Sequence, residues 1–98
     1  MITVKIPTYM LGNEDKINNK DVNYACILLN QGTNVKECLN NAAKEAPNAF
    51  SNFLDDNGGI KRSCIVVHNE TVIDKRKASE IATADADEIE VLLQLAGG

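Results

Sequence analysis

The stretch Asp85-Ala86-Asp87-Glu88-Ile89-Glu90-Val91-Leu92-Leu93-Gln94-Leu95-Ala96-Gly97-Gly98 decides how this chain is read. Over residues 88–95 apolar and polar residues alternate, so that Ile89, Val91, Leu93 and Leu95 share one face of a strand. Leu92 falls on the other face. An apolar residue there, exposed on the open side of a sheet, is a candidate docking contact. The acidic residues Asp85, Asp87, Glu88 and Glu90 read as a solvated turn and an outer strand face. Ala96, Gly97 and Gly98 then trail off the strand as a thread whose last two residues carry no side chains and accept backbone angles that others resist.

Working outward, a strand needs partners and a cover. The clearest helix lies upstream, where Val35, Cys38, Leu39, Ala42, Ala43 and Ala46 fall at helical spacing and form one apolar stripe. Asn34 can cap it, with Glu37 completing a capping-box arrangement; Thr33 is the rival cap, and Pro47 ends the helix. A short second helical segment should carry Phe50, Phe53 and Leu54 into the core before the turn at residues 55–59.

Residues 2–7 alternate as a strand with Ile2, Val4 and Ile6 on one face, and residues 24–29 form a second short apolar run closed by Asn30-Gln31-Gly32. Between them, residues 11–21 read as a loop. A third strand is expected near residues 62–68, with Asn69-Glu70 turning into a brief strand at Val72-Ile73. Residues 75–87 look polar and irregular. The order gives an α+β domain, one mixed sheet of about four to five strands with one main helix packed on one face.

Bulk properties narrow the function classes. Ninety-eight residues with 44% hydrophobic content suit a single domain spanning residues 1–98. Ten basic against fourteen acidic residues give a net charge of −4 without a basic stripe, which argues against nucleic acid as a partner. No apolar run is long enough to cross a membrane, and the first residues lack the pattern of a secretory signal, so a cytoplasmic location without membrane association is expected. For the same reason the acceptor pattern Asn69-Glu70-Thr71 is not expected to be glycosylated.

Other chemistry is thinly represented. Cys26, Cys38 and Cys64 are odd in number and widely spaced, which speaks against a disulfide framework or a zinc site and for small core residues. His68 has no ligand at metal-binding spacing and should end a strand; Gly58-Gly59 follows Asp-Asp-Asn and reads as a turn. No catalytic residue and no metal ligand is expected.

Several segments resemble the ThiS/MoaD family, the ubiquitin-like β-grasp sulfur carriers of thiamine, molybdopterin and amino-acid biosynthesis. They are Ile6-Pro7-Thr8, Gly32-Thr33-Asn34-Val35, residues 65–72, and above all Asp85-Ala86-Asp87-Glu88-Ile89 followed by a terminal Gly97-Gly98. The family usually has glycine where Ala86 stands, a change expected to do no more than shift the turn. The resemblance implies a β-grasp fold and a carrier that is not an enzyme. Gly98 would be adenylated by an E1-like enzyme using ATP and converted to a thiocarboxylate, with Gly97 and Ala96 as the tail and no cofactor bound by the chain. The implied partners are that E1-like enzyme, a sulfur-accepting synthase and, as a further candidate, a metal-dependent tail protease. Two alternatives stay open: the small subunit of molybdopterin synthase, and a protein modifier conjugated through Gly98.

Overall fold

Ile2, Val4 and Ile6 are buried along the first strand, β1 (Ile2–Pro7), while Thr3 and Lys5 between them are only half-buried. The structure, a computed structural model, describes residues 1–94. β1 pairs antiparallel with β2 (Tyr24–Leu29) from Ile2↔Leu29 to Pro7↔Tyr24, which brings Ala25, Ile27 and Leu29 to the same buried face. The intervening segment has a 3-10 turn at Thr8–Met10, ahead of the Asn-rich loop. That loop is pinned by Asp15, the one buried charged residue among those described. Its carboxylate accepts the backbone N–H groups of Gly12 at 2.9 Å, Asn48 at 3.0 Å and Ala49 at 2.9 Å. Three donors satisfy an anion that would otherwise be costly to bury.

The stripe forms α1 (Val35–Glu45), with Val35, Cys38, Leu39 and Ala42 buried. Asn34 is the cap, its side chain accepting the Glu37 N–H at 2.8 Å. Glu37 reaches back one residue further than a standard capping box, to the Thr33 N–H at 3.2 Å and the Thr33 hydroxyl at 2.7 Å. Both candidate cap residues therefore serve the helix start. Pro47 ends α1 and also opens α2 (Pro47–Phe50), where its missing N–H costs nothing. Phe50 and Phe53 meet edge to face, centroids 5.5 Å apart, and both are buried in the core with Leu54.

The later strands are β3 (Cys64–His68), β4 (Thr71–Val72) and β5 (Glu88–Leu93). Asn69 and Glu70 join β3 to β4 with φ of 48° and 72°, the left-handed pair that a type I′ hairpin demands. β4 starts one residue earlier than the sequence pattern suggested. Residues expected to be irregular include a 3-10 helix, Lys75–Glu80, whose one buried residue, Ala78, leaves no apolar period to read. Asp74 caps it by accepting the Arg76 N–H.

The five strands form one sheet in the order β2-β1-β5-β3-β4, with β5 parallel to β1 and antiparallel to β3. The helices pack on the face carrying Ile2, Val4, Ile6, Val66, Ile89 and Val91. This is the expected mixed sheet with one main helix across it, leaving the other face open.

The turn into β5 is held from several sides. Ala86 has φ of 71° and its N–H donates to the Met1 carbonyl at 2.8 Å. The alanine adopts the left-handed conformation that a glycine would take there without strain. Beside it, Asp87 accepts from the Asn69 amide at 3.0 Å, from His68 Nε2 at 2.9 Å and from the Ala84 N–H at 2.9 Å. Asn69 in turn accepts the Glu88 N–H at 2.8 Å. Spacing along the sequence concealed the pairing of His68 with Asp87, because the contact is made across two strands.

Two outcomes are expected. Ala86→Gly should stabilise the protein by about 0.5–1 kcal/mol in a chemical-denaturation experiment, the relief of the left-handed strain exceeding the added backbone entropy of glycine. The second concerns pH. Hydrogen bonds from Asn69, then from His68 and the Ala84 N–H, lower the Asp87 pKa from the ordinary 3.8 to about 2. A carboxyl whose folded value lies below its unfolded one stabilises the fold above the unfolded value, and that contribution disappears as pH falls through the window from 3.8 to about 2. Denaturation midpoints measured across that window should drop less steeply for Asp87→Asn than for the unaltered protein, and the variant should be about 1–2 kcal/mol less stable at pH 7.

Candidate functional site

β5 is the strand on which the end of the chain hangs, and it lies in the middle of the sheet. On one side it pairs with β1 through Thr3↔Glu88, Val4↔Ile89 and Lys5↔Glu90; on the other it pairs with β3 from His68↔Ile89 to Cys64↔Leu93. Beyond the strand the Gln94 N–H still donates to the Ser63 carbonyl at 2.7 Å. The tail residues Ala96, Gly97 and Gly98 lie outside the described residues, as does Leu95. What the fold contributes is a firmly held strand delivering the chain to that point.

Leu92 does face the open side of the sheet, as alternation required, but it is half-buried. Ile65 stands opposite it on β3, and on the other side Pro7 lies two residues beyond the Lys5–Glu90 pair on the parallel strand. Tyr24 pairs with Pro7 in turn. The row Tyr24, Pro7, Leu92, Ile65 thus runs across the sheet at the end where β5 finishes. Pro7, Tyr9, Val22, Asn23, Tyr24 and Leu92 line a shallow concavity of about 410 Å³ there. Tyr9 and Val22 are 77% and 91% exposed, and with Tyr24 and Leu92 they form one contiguous apolar patch. Sequence reading found Leu92 by alternation but not Tyr9 or Val22, which come from the β1–β2 connection and carry no periodic signal.

Toward the start of β5 the open face turns polar. Lys5 Nζ sits 3.5 Å from Glu88 and 4.7 Å from the centre of the Tyr24 ring. Desolvation pulls its pKa down, but Glu88 and Glu90 outweigh that and hold it above the ordinary lysine value. The Met1 ammonium meets Asp85 at the far edge of the same turn. The acidic residues 85–90 are therefore partly engaged within the fold rather than uniformly solvated.

The cysteines divide. Cys38 and Cys64 are core residues, and burial pushes both thiols up, that of Cys64 to about 11. They stay protonated at neutral pH and are poor nucleophiles. Cys26 departs from expectation: Ala25, Ile27 and Leu29 take the core side of β2, which turns Cys26 to the open face opposite Lys5. Among the described residues no group of three His, Cys, Asp or Glu side chains could hold a metal ion, and no helix is long and apolar enough to cross a membrane.

Comparison with solved structures shows the ubiquitin-like β-grasp fold. A chain in the crystal structure of the Amycolatopsis orientalis BexX/CysO complex is 18% identical, covers 100% of both chains and superposes with a TM-score of 0.71. SAMP1 from Haloferax volcanii is 16% identical over 98% of this chain and 99% of its own, with a TM-score of 0.62. A further structure of small archaeal modifier protein 1 from H. volcanii is 14% identical over 97% and 100% of the two chains, with a TM-score of 0.61. No curated protein matches the chain in sequence. A model of the ThiS family matches residues 16–98, from the β1–β2 loop through β5 to the final Gly97-Gly98, and the chain belongs to that family.

Proposed function

We propose that this protein is a sulfur carrier whose Gly98 carboxylate is activated by an E1-like enzyme and converted to a thiocarboxylate. The observation that carries the reading is the ThiS-family match running through to the Gly-Gly end of a chain with a β-grasp fold. A carboxylate oxygen of Gly98 attacks the α-phosphorus of ATP on the activating enzyme. The bond from that phosphorus to the bridging oxygen breaks, pyrophosphate leaves, and an acyl adenylate remains. A sulfide or persulfide sulfur then attacks the carbonyl carbon and AMP departs; in the persulfide case a reducing thiol releases the remaining sulfur–sulfur bond. The thiocarboxylate is a better nucleophile than the carboxylate it replaces and donates its sulfur on a synthase of cofactor or amino-acid biosynthesis.

In this reading the chain is not an enzyme and binds no cofactor of its own; ATP belongs to the activating enzyme, which supplies positioning and charge stabilisation. The protein supplies the Ala96-Gly97-Gly98 thread and a surface on which the partner docks, and it works in the cytoplasm. We assign that surface to Leu92 together with Tyr9, Val22 and Tyr24, since they border the end of β5 from which the thread departs. A partner gripping this end of the sheet holds the tail within reach of its active site.

A second reading has its own support. Similarity to small archaeal modifier protein 1 favours a modifier joined through Gly98 to lysine amines of target proteins. Both uses begin with the same adenylate and part at the nucleophile that accepts the acyl group.

Co-expression with a cognate activating enzyme followed by intact-mass measurement should yield a species with one oxygen replaced by sulfur, absent when Gly98 is deleted. Failure to form that species with an enzyme shown to adenylate the tail would sink the carrier reading. A Gly-Gly remnant on lysines of cellular proteins would establish the modifier reading in its place. At the docking surface, Leu92→Arg and Tyr9→Ala should each slow adenylation by about tenfold in a pyrophosphate-exchange assay. Because Tyr9 is 77% exposed, its replacement should leave the melting temperature unchanged.

A further inference from the structure

On the helical side of the molecule, away from the open sheet face, a second concavity has a different character. It encloses about 440 Å³ and is lined by Lys36, Ile60, Arg62, Lys75, Arg76 and Ser79. Four of the ten basic residues of an acidic chain therefore converge on one cleft. Three separate segments bring them there: the first turn of α1, the connection before β3, and the 3-10 helix Lys75–Glu80. Among the described residues no carboxylate lines the cleft.

The state of each cation matters more than the count. Arg76 is paired with Asp74, Nε to Oδ1 at 3.1 Å and Nη2 to Oδ2 at 3.0 Å. Among the described residues Lys36, Arg62 and Lys75 have no carboxylate partner, although fourteen acidic residues are available in the chain. Lys75 is half-buried, and its ammonium donates to the carbonyls of Arg62 and of Cys64, the latter at 2.7 Å. Those bonds fasten the 3-10 helix to the strand edge and leave the third ammonium N–H uncommitted. An anionic ligand in the cleft would meet these cations directly.

We infer that this cleft is a binding site for a small, multiply charged phosphate compound. Its volume of about 440 Å³ lies in the range of small-molecule pockets. Arg62 offers the planar fork that matches phosphate oxygens, Lys36 and Lys75 offer point charges, and the Ser79 hydroxyl offers a neutral donor. Ile60 supplies an apolar wall against which the organic part of a phosphate ester can lie. The cleft shares no lining residue with the Leu92 surface.

The test uses the full chain, isotope-labelled, titrated with pyrophosphate and separately with ADP while backbone amide resonances are followed. Saturable shifts at residues 36, 60–62 and 75–79 are expected, with a dissociation constant below about 1 mM that weakens severalfold as salt is raised. Lys36→Glu and Arg62→Glu should each weaken binding by at least about tenfold, while Arg76→Glu, already neutralised by Asp74, should weaken it less. Lys75 is left in place because its carbonyl bonds hold the cleft together. Equal binding of both probes would assign the site to the phosphates alone, and tighter binding of ADP would bring in the wall at Ile60; either result supports the proposal. Three results would overturn it: no saturable shifts with either probe, shifts spread over all lysines alike, or binding of a glutamate-rich peptide at this cleft in the absence of pyrophosphate and ADP binding.

Discussion

The pairing on which the rest of the structure depends is the parallel ladder between β1 and β5, which joins the first strand of the chain to the last. Thr3, Val4 and Lys5 lie against Glu88, Ile89 and Glu90, and the Thr3 N–H donates to the Asp87 carbonyl at 3.0 Å. Two parallel neighbours cannot be joined by a tight turn; the chain between them must cross over a face of the sheet. Everything from β2 to the 3-10 helix lies within that crossing. It supplies α1 as cover for one face, β2 as the outer neighbour of β1, β3 as the outer neighbour of β5, and β4 at the edge beyond β3. The last strand thereby becomes the central one, bonded on both edges, and the chain end is presented from the best-supported part of the sheet.

This topology explains why some of the fold could be read from the amino acids and some could not. β1 and α1 show their partners through periodicity, because each buries one face and exposes the other. Ile2, Val4 and Ile6, or Val35, Cys38, Leu39 and Ala42, are regular for that reason. The same logic placed Leu92 opposite Ile89, Val91 and Leu93. Alternation reveals the side of a sheet but not the depth of burial, and the neighbours Pro7 and Ile65 on adjacent strands make Leu92 half-buried. Cys26 was misjudged for a related reason. A short, continuous apolar run does not reveal its inward set, and only pairing with β1 resolves it.

What stayed illegible rests on contacts between distant residues. Asp15 looks like one more polar residue of a loop, yet its carboxylate meets the N–H groups of Asn48 and Ala49 and fastens that loop to the start of α2. His68 and Asp87 lie nineteen positions apart and meet because β3 and β5 are neighbours. The 3-10 helix at Lys75–Glu80 follows no apolar period and is defined by the Asp74 cap and the reach of Lys75. Tyr9 and Val22 meet Leu92 only through the sheet order, which no local pattern reveals.

A sheet covered on one side only has two unlike surfaces, and the distribution of charge follows that division. At the sheet end beside the last described residues, the open face is apolar, with tyrosine, valine and leucine side chains, and its charges sit further along at Lys5, Glu88 and Glu90. The cationic cleft forms instead where α1, the connection before β3 and the 3-10 helix come together. Apolar area favours a protein partner, since it is buried only when a complementary surface covers it. Unpaired cations in a small concavity favour an anion, since neutralising them there needs little buried area. A small fold can hold two separate binding chemistries when its helices and its open strands face in opposite directions.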